Sequence, residues 1–261
     1  MIKIPKKPSK KEIIKFFRQK KLNKLITESQ NNSLNVNQLV SKKTYKPELL
    51  DLYNLYWIIR LNKRITSLEF GCGWSSLIIA KALNDNKSLY LKKTLKLRRN
   101  YKFKNFIIDN EIKFLRITKK KIGNFDKKLL NNSIFNFSKC RVKQNNFNYV
   151  TEFDNLPKIN PDFIYLDGPD QFNIYKSKDG YNINNKDLTP MSADILKIEF
   201  FLNPGTIILI DGRGANANFL KTKFLRKWKY KYLKSLDQHI FYLNEKPYGV
   251  HSENLKNFFN N

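Results

Sequence analysis

Six charged side chains stand where they can do chemistry. Glu69 comes two residues before a glycine pair. Asp109 ends one apolar run, and Asp167 ends a second with Asp170 close behind it. Asp211 ends a third, followed by Arg213. A carboxylate accepts hydrogen bonds from hydroxyl and ammonium groups, and a correctly placed one takes a proton during a reaction. Asp167 and Asp170 are general-base candidates by position. Asp211 would join Asp167 in one crevice if their strands are neighbours, because open parallel sheets bind ligands at the carboxyl ends of their strands. Arg213 can pair with an anionic substrate group or with Asp211.

The elements that must position these groups are legible in turn. Residues 65–77 read as an apolar strand, a sharp bend and a helix start. Ile65, Leu68 and Phe70 supply the strand. Gly71 and Gly73 allow backbone angles closed to other residues and a close approach by a ligand. Ser75 or Ser76 can cap the helix that follows, whose N-terminus offers unpaired N–H groups and partial positive charge. That helix either continues past Asn84 or breaks at residues 84–87. Residues 106–109, 133–142, 163–166 and 206–210 read as further strands, and residues 149–153 as a short extended piece. Residues 230–232 and 238–243 make two late ones. Helices are expected over 11–25, 47–62 and 110–122. Apolar positions at helical spacing, Met191 to Leu202 and Ala217 to Trp228, predict two more. Thr189-Pro190 reads as an N-cap with a first-turn proline, and 30–37 as a loop. Residues 171–187, with Phe172, Tyr175 and Tyr181, read as a loop able to carry substrate contacts. A polar tail or short helix is expected from Glu253.

Glu69 followed by Gly71-Cys72-Gly73 resembles the glycine-rich motif of class I S-adenosylmethionine-dependent methyltransferases, with Ser75 where that family has its third glycine. The resemblance covers about residues 65–243. It implies an α/β, doubly wound, mostly parallel seven-stranded sheet with an antiparallel terminal strand, plus an N-terminal helical arm. It also implies that Glu69, Gly71, Gly73, Trp74, Ser75 and Ser76 hold the methionine part of the cofactor, and that Asp109 binds the ribose hydroxyls. The stretch from Gly73 to Asp109 exceeds the usual spacing of about 20 residues; a basic insertion over 89–99 accounts for the excess. In catechol O-methyltransferase and related enzymes, acids placed like Asp167 and Asp211 hold a divalent cation, and Asn follows the second acid. Gly212 stands there in this chain, with Asn216 farther along as a substitute. Magnesium or calcium would suit such oxygen ligands. The Asn/Asp-Pro-Pro-aromatic signature of base-amine methylation is absent, so a hydroxyl of a small molecule or saccharide is the expected acceptor. The same glycine pattern is also a near match to the dinucleotide fingerprint, which keeps an NAD-linked oxidoreductase as an alternative.

A chain of 261 residues with 41% hydrophobic content can build one sizeable core, so a disordered polymer is excluded. Residues 1–45 read as a basic arm and 46–261 as the methyltransferase-like domain. The formal charge of +28 would attract anions. An RNA-modifying or RNA-binding protein of the same fold, or a basic non-catalytic module, is therefore a further reading. Lysines 92, 93 and 96 with Arg98 and Arg99 are expected on a solvated face. Cys72 and Cys140 lack CxxC spacing, which argues against a zinc site or disulfide framework. No run approaches the ~20 apolar residues of a membrane span, and a cytoplasmic location is expected. His239 is expected to be a packed, hydrogen-bonded strand residue.

Overall fold

The computed structural model describes residues 2–30, 45–145, 148–170, 173–178, 180–183, 188 and 191–260. Its centre is a seven-stranded sheet built from β1 (Thr66–Phe70), β2 (Lys104–Asp109), β3 (Ser133–Phe137), β6 (Phe163–Leu166), β7 (Ile207–Asp211), β8 (Trp228–Leu233) and β9 (Gln238–Leu243). Their spatial order is β3-β2-β1-β6-β7-β9-β8. The first five run parallel, and β9 runs against both neighbours. The reversed strand is thus the last in the chain, inserted between β7 and β8 rather than placed at the edge. A separate antiparallel pair joins β4 (Cys140–Asn145) to β5 (Asn148–Phe153).

Alternate residues of each central strand feed two cores. Phe163, Tyr165, Ile207 and Leu209 face one side, and Ile164, Leu166, Ile208 and Ile210 the other. Both sides are buried, which is why these strands are continuous apolar runs instead of alternating ones. On the first side lie α1 (Lys10–Gln19), α2 (Asn23–Gln30), α3 (Leu49–Leu61), α4 (Trp74–Thr94), α5 (Ile112–Phe125) and α6 (Lys127–Asn131). The second side is covered by the β4–β5 pair, α7 (Asp194–Ile198) and α8 (Gly214–Lys223). Helix α9 (Val250–Asn260) closes the end of the sheet remote from the strand tips, with Leu255 and Phe259 packed beside Ile65 and Phe103.

Several expectations change. The first predicted helix is two, α1 and α2, separated by Lys21 in a left-handed conformation (φ 59°). Ile13, Phe16 and Phe17 of α1 are buried in the shared core. Each such side chain contributes roughly 1.5–3 kcal/mol, so α1 is part of the helix layer. Helix α4 takes the first of its two expected courses and runs through 84–87 unbroken, with its polar residues anchoring other elements. Asp85 accepts from Lys20, Tyr56 and Lys81, and Asn86 donates to the Arg64 carbonyl. The strand expected over 133–142 ends at Phe137, since Cys140 onward pairs with β5 instead. The predicted helix from Met191 shortens to α7 and a 3-10 turn, Glu199–Phe201. Trp228 starts β8 rather than extending α8. Arg99 leaves the solvated basic face and lies 3.8 Å from the buried Asp162 carboxylate. Residues 31–37 of the expected loop, Phe172 and Thr189-Pro190 lie outside the described residues. Among the described residues, no helix is long and apolar enough to cross a membrane.

Candidate active site

Two backbone bends meet at the carboxyl edge of the sheet. The Phe70 carbonyl accepts from the N–H groups of Asp167 (3.1 Å) and Gly168 (2.6 Å), while Gly71 N–H donates to the Ile108 carbonyl (2.9 Å). Gly71 has φ +93°, and a Cβ there would lie 2.9 Å from Gly168 N. A Cβ on Gly168 would in turn meet the Gly71 main chain. Glycine is required at both positions by this contact, and at Gly71 also by its backbone angle. Around the Cβ position of Gly73 there is open space, so a ligand can reach the main chain where α4 begins. Ser76 Oγ caps that start by accepting from Gly73 N–H (3.1 Å). Trp74 turns its ring into the helix layer beneath Lys121, 4.0 Å from the ring centre. Only its main chain is therefore offered to the crevice.

Glu69 is completely buried. Its two oxygens accept from Ser75 Oγ (2.6 Å) and Asn105 Nδ2 (3.1 Å). Burial pushes its pKa up to about 7 against the pull of those hydrogen bonds. Both oxygens are thus engaged internally, where they tie β1 to β2 and to the first turn of α4. Asp109 ends β2 and accepts from Glu111 N–H (2.8 Å). Burial lifts its pKa to about 6, and the Cys72 thiol bonded to it opposes that rise. Beside it Asn110 is 3% exposed, with Nδ2 donating to the Asn173 carbonyl and Oδ1 holding no hydrogen bond among the described residues. A buried acceptor without a donor is costly unless a ligand supplies one.

The other half of the edge is acidic. Asp167, at the tip of β6, keeps a solvent-exposed face. Loss of bulk water raises its pKa, Arg213 opposes this, and Glu48 adds to it. Asp211, at the tip of β7, accepts from Tyr165 Oη (2.5 Å). Burial and the Asp167 charge push its pKa up. From α3 comes Asp51, raised by burial, by a hydrogen bond with Glu48, and by Asp211 and Asp167. Asp170 lies close enough to Asp109, Glu111 and Tyr45 for its charge to raise all three. Arg213 donates from Nε to the Asp167 carbonyl (3.0 Å) and from Nη2 to the Pro169 carbonyl (2.5 Å), which clamps the β6 bend. Neither bond goes to Asp211.

The donor set does not suit a divalent cation. Among the described residues no three His, Cys, Asp or Glu side chains are grouped to hold a metal. Asn216, the substitute suggested by sequence, is 1% exposed and spends its amide on both backbone groups of Ser192. Calcium takes six to eight oxygen ligands and magnesium needs near-octahedral geometry.

The structure therefore brings Glu69, Gly71, Gly73, Ser75, Ser76 and Asp109 to one half of the edge and Asp167, Asp211 and Arg213 to the other. Tyr165, Asp51, Glu48 and Asn110 escaped the sequence reading. Tyr165 was signalled by period-2 spacing from Asp167, since alternate strand residues share a face. Nothing local marks Asp51, because a helix on a different part of the chain delivers it. His239 is 5% exposed and shares a 2.8 Å hydrogen bond with Tyr230, in keeping with a packed strand residue.

Solved structures similar to this chain include an O-methyltransferase from Bacillus cereus in complex with SAH (10% identity, TM-score 0.39, covering 91% of this chain and 92% of that one). A second is the O-methyltransferase of tomaymycin synthesis from Streptomyces achromogenes in complex with SAM (11%, TM-score 0.39, 93% and 92%). A third is the TDP-rhamnose 3′-O-methyltransferase of calicheamicin biosynthesis (12%, TM-score 0.45, 95% and 97%). No protein-family model and no curated protein matches the sequence.

Proposed function

We propose that this chain is an S-adenosylmethionine-dependent O-methyltransferase acting on a hydroxyl of a small molecule or saccharide. The observation that carries the reading is one shared edge: a glycine bend at β1, an acid at the end of β2, and paired acids at the ends of β6 and β7. The reversed β9 between β7 and β8 favours this reading over an NAD-linked oxidoreductase, which has less reason to end its sheet this way.

When bound, S-adenosylmethionine supplies a methyl group on a sulfonium. The main-chain N–H groups at the start of α4 would take the carboxylate of its amino-acid end. Asp109 would accept from the ribose hydroxyls, and Asn110 Oδ1 would gain the donor it lacks. Glu69 acts by bracing the bend through Ser75 and Asn105. Asp167, open to the crevice, takes the proton of the acceptor hydroxyl. Its raised proton affinity brings it closer to working pH, where a general base is most effective. Asp211, held by Tyr165, adds a like charge beside it. Much of the remaining acceleration comes from holding the hydroxyl in line with the methyl group.

The test is transfer of labelled methyl from S-adenosylmethionine to a panel of catechols, sugars, nucleotide sugars and short RNAs. Label on a sugar or small-molecule oxygen is expected. Label on a nucleic-acid base, or NAD reduction with no methyl transfer, would overturn the proposal.

A further inference from the structure

Behind the glycine bend, on the side away from the crevice, lies a cavity of about 270 Å³. Its floor is the Trp74 ring, and Ile117 and Phe125 form its apolar walls. Three lysines line it as well: Lys24 from α2, and Lys120 and Lys121 from α5. Among the described residues no carboxylate lines it. Lysine side chains on a helix surface ordinarily spread into water with their charges apart. Here Lys121 folds over Trp74 at 4.0 Å from the ring centre. Burial lowers its pKa, Glu28 and then Cys72 oppose this, and Lys24 adds the smallest contribution, a further lowering. An anion seated in the cavity would lie beside all three of these residues.

We propose that this cavity is a phosphate site, taking a phosphate or diphosphate group through Lys24, Lys120 and Lys121, with the Asn124 amide beside them. Lysine suits the task as a point charge toward phosphate oxygens. Trp74 is the first residue of α4, next to Gly73, so an occupant here lies against the start of the helix that follows the bend. The site stands or falls independently of methyl transfer.

Pyrophosphate titrated into the full chain, followed by the indole N–H resonances of its three tryptophans, is the test. A saturable shift confined to Trp74 is expected. Lys24→Glu and Lys120→Glu alter exposed side chains and should each weaken binding at least about tenfold with an unchanged melting temperature, as expected for lost charge contacts to phosphate. The absence of a saturable shift, or unaltered affinity in both variants, would overturn the proposal. A short single-stranded RNA separates the sources of the phosphate. If the same variants weaken RNA binding, and that binding falls steeply with salt, the phosphate belongs to a polymer. If they abolish only pyrophosphate binding, it belongs to a small phosphorylated ligand. S-adenosylmethionine added to the same sample tests the crevice separately.

Discussion

Strand β6 carries an aspartate at each end, and the two have opposite surroundings. Asp162, just before the strand, is fully buried and accepts from Ile65 N–H (2.9 Å) and Thr66 N–H (3.1 Å). The Arg99 guanidinium lies 3.8 Å away, and Arg64 donates to the Asp162 carbonyl. Burial raises the pKa of this acid, and two arginines and two N–H groups oppose the rise. At the other end, Asp167 faces Glu48 and Asp211, with Arg213 in opposition. A carboxylate surrounded by donors and cations is a strut, because its charge is used up in holding the chain. One crowded by like charges keeps its affinity for protons and can exchange them with a substrate.

The sharpest way to break this contrast is Asp167→Asn. It should lower kcat by about 10²–10⁴, the usual contribution of a general base, while leaving the melting temperature level or higher. A loss of stability with no specific loss of turnover would make Asp167 a strut as well. Asp162→Ala should do the reverse. It leaves Arg64 and Arg99 uncompensated in the interior and should cost about 3–5 kcal/mol in urea denaturation. A cost below about 1 kcal/mol, the range of ordinary surface substitutions, would remove the distinction.

Glu69 allows a pH test on the crevice side. Its folded pKa of about 7 lies above the ordinary 4.5. Between those values the folded chain keeps a proton that the unfolded chain has released. The contribution is complete below pH 4.5 and lost as pH rises through about 7. Glu69→Gln should therefore be relatively more stable than the parent at pH 8, by roughly 3 kcal/mol at most. Equal pH profiles for the two proteins would show that Glu69 is not held as the structure has it. The smallest effect belongs to metal removal: with no suitable ligand set at Asp167 and Asp211, chelation by EDTA should leave turnover unchanged. A loss restored by magnesium would contradict that.

Much of the sheet was legible because β6 and β7 are short apolar runs buried on both faces, each ending abruptly at an aspartate. The glycine bend was legible for a related reason: Gly71 and Gly168 sit where two backbones touch, and no other residue fits. The rest was hidden by tertiary structure. Asp85 and Asn86 leave a helix break open on sequence, and the fold uses them as anchors for α1, α3 and Arg64. Trp74 lies within the bend yet points its ring away from it, because helix direction and not sequence position decides where a side chain lands. Asp51 joins the acidic cluster only when α3 packs beside β7, a juxtaposition with no local mark.

The most direct measurement is calorimetric titration of the purified chain with S-adenosylmethionine, its demethylated product and NAD, repeated with Asp109→Ala. One saturable site for the first two ligands, little heat with NAD, and clear weakening in the variant are the predicted results. Binding of NAD alone, or of none of the three, would contradict a cofactor crevice formed by the β1 bend and the tip of β2.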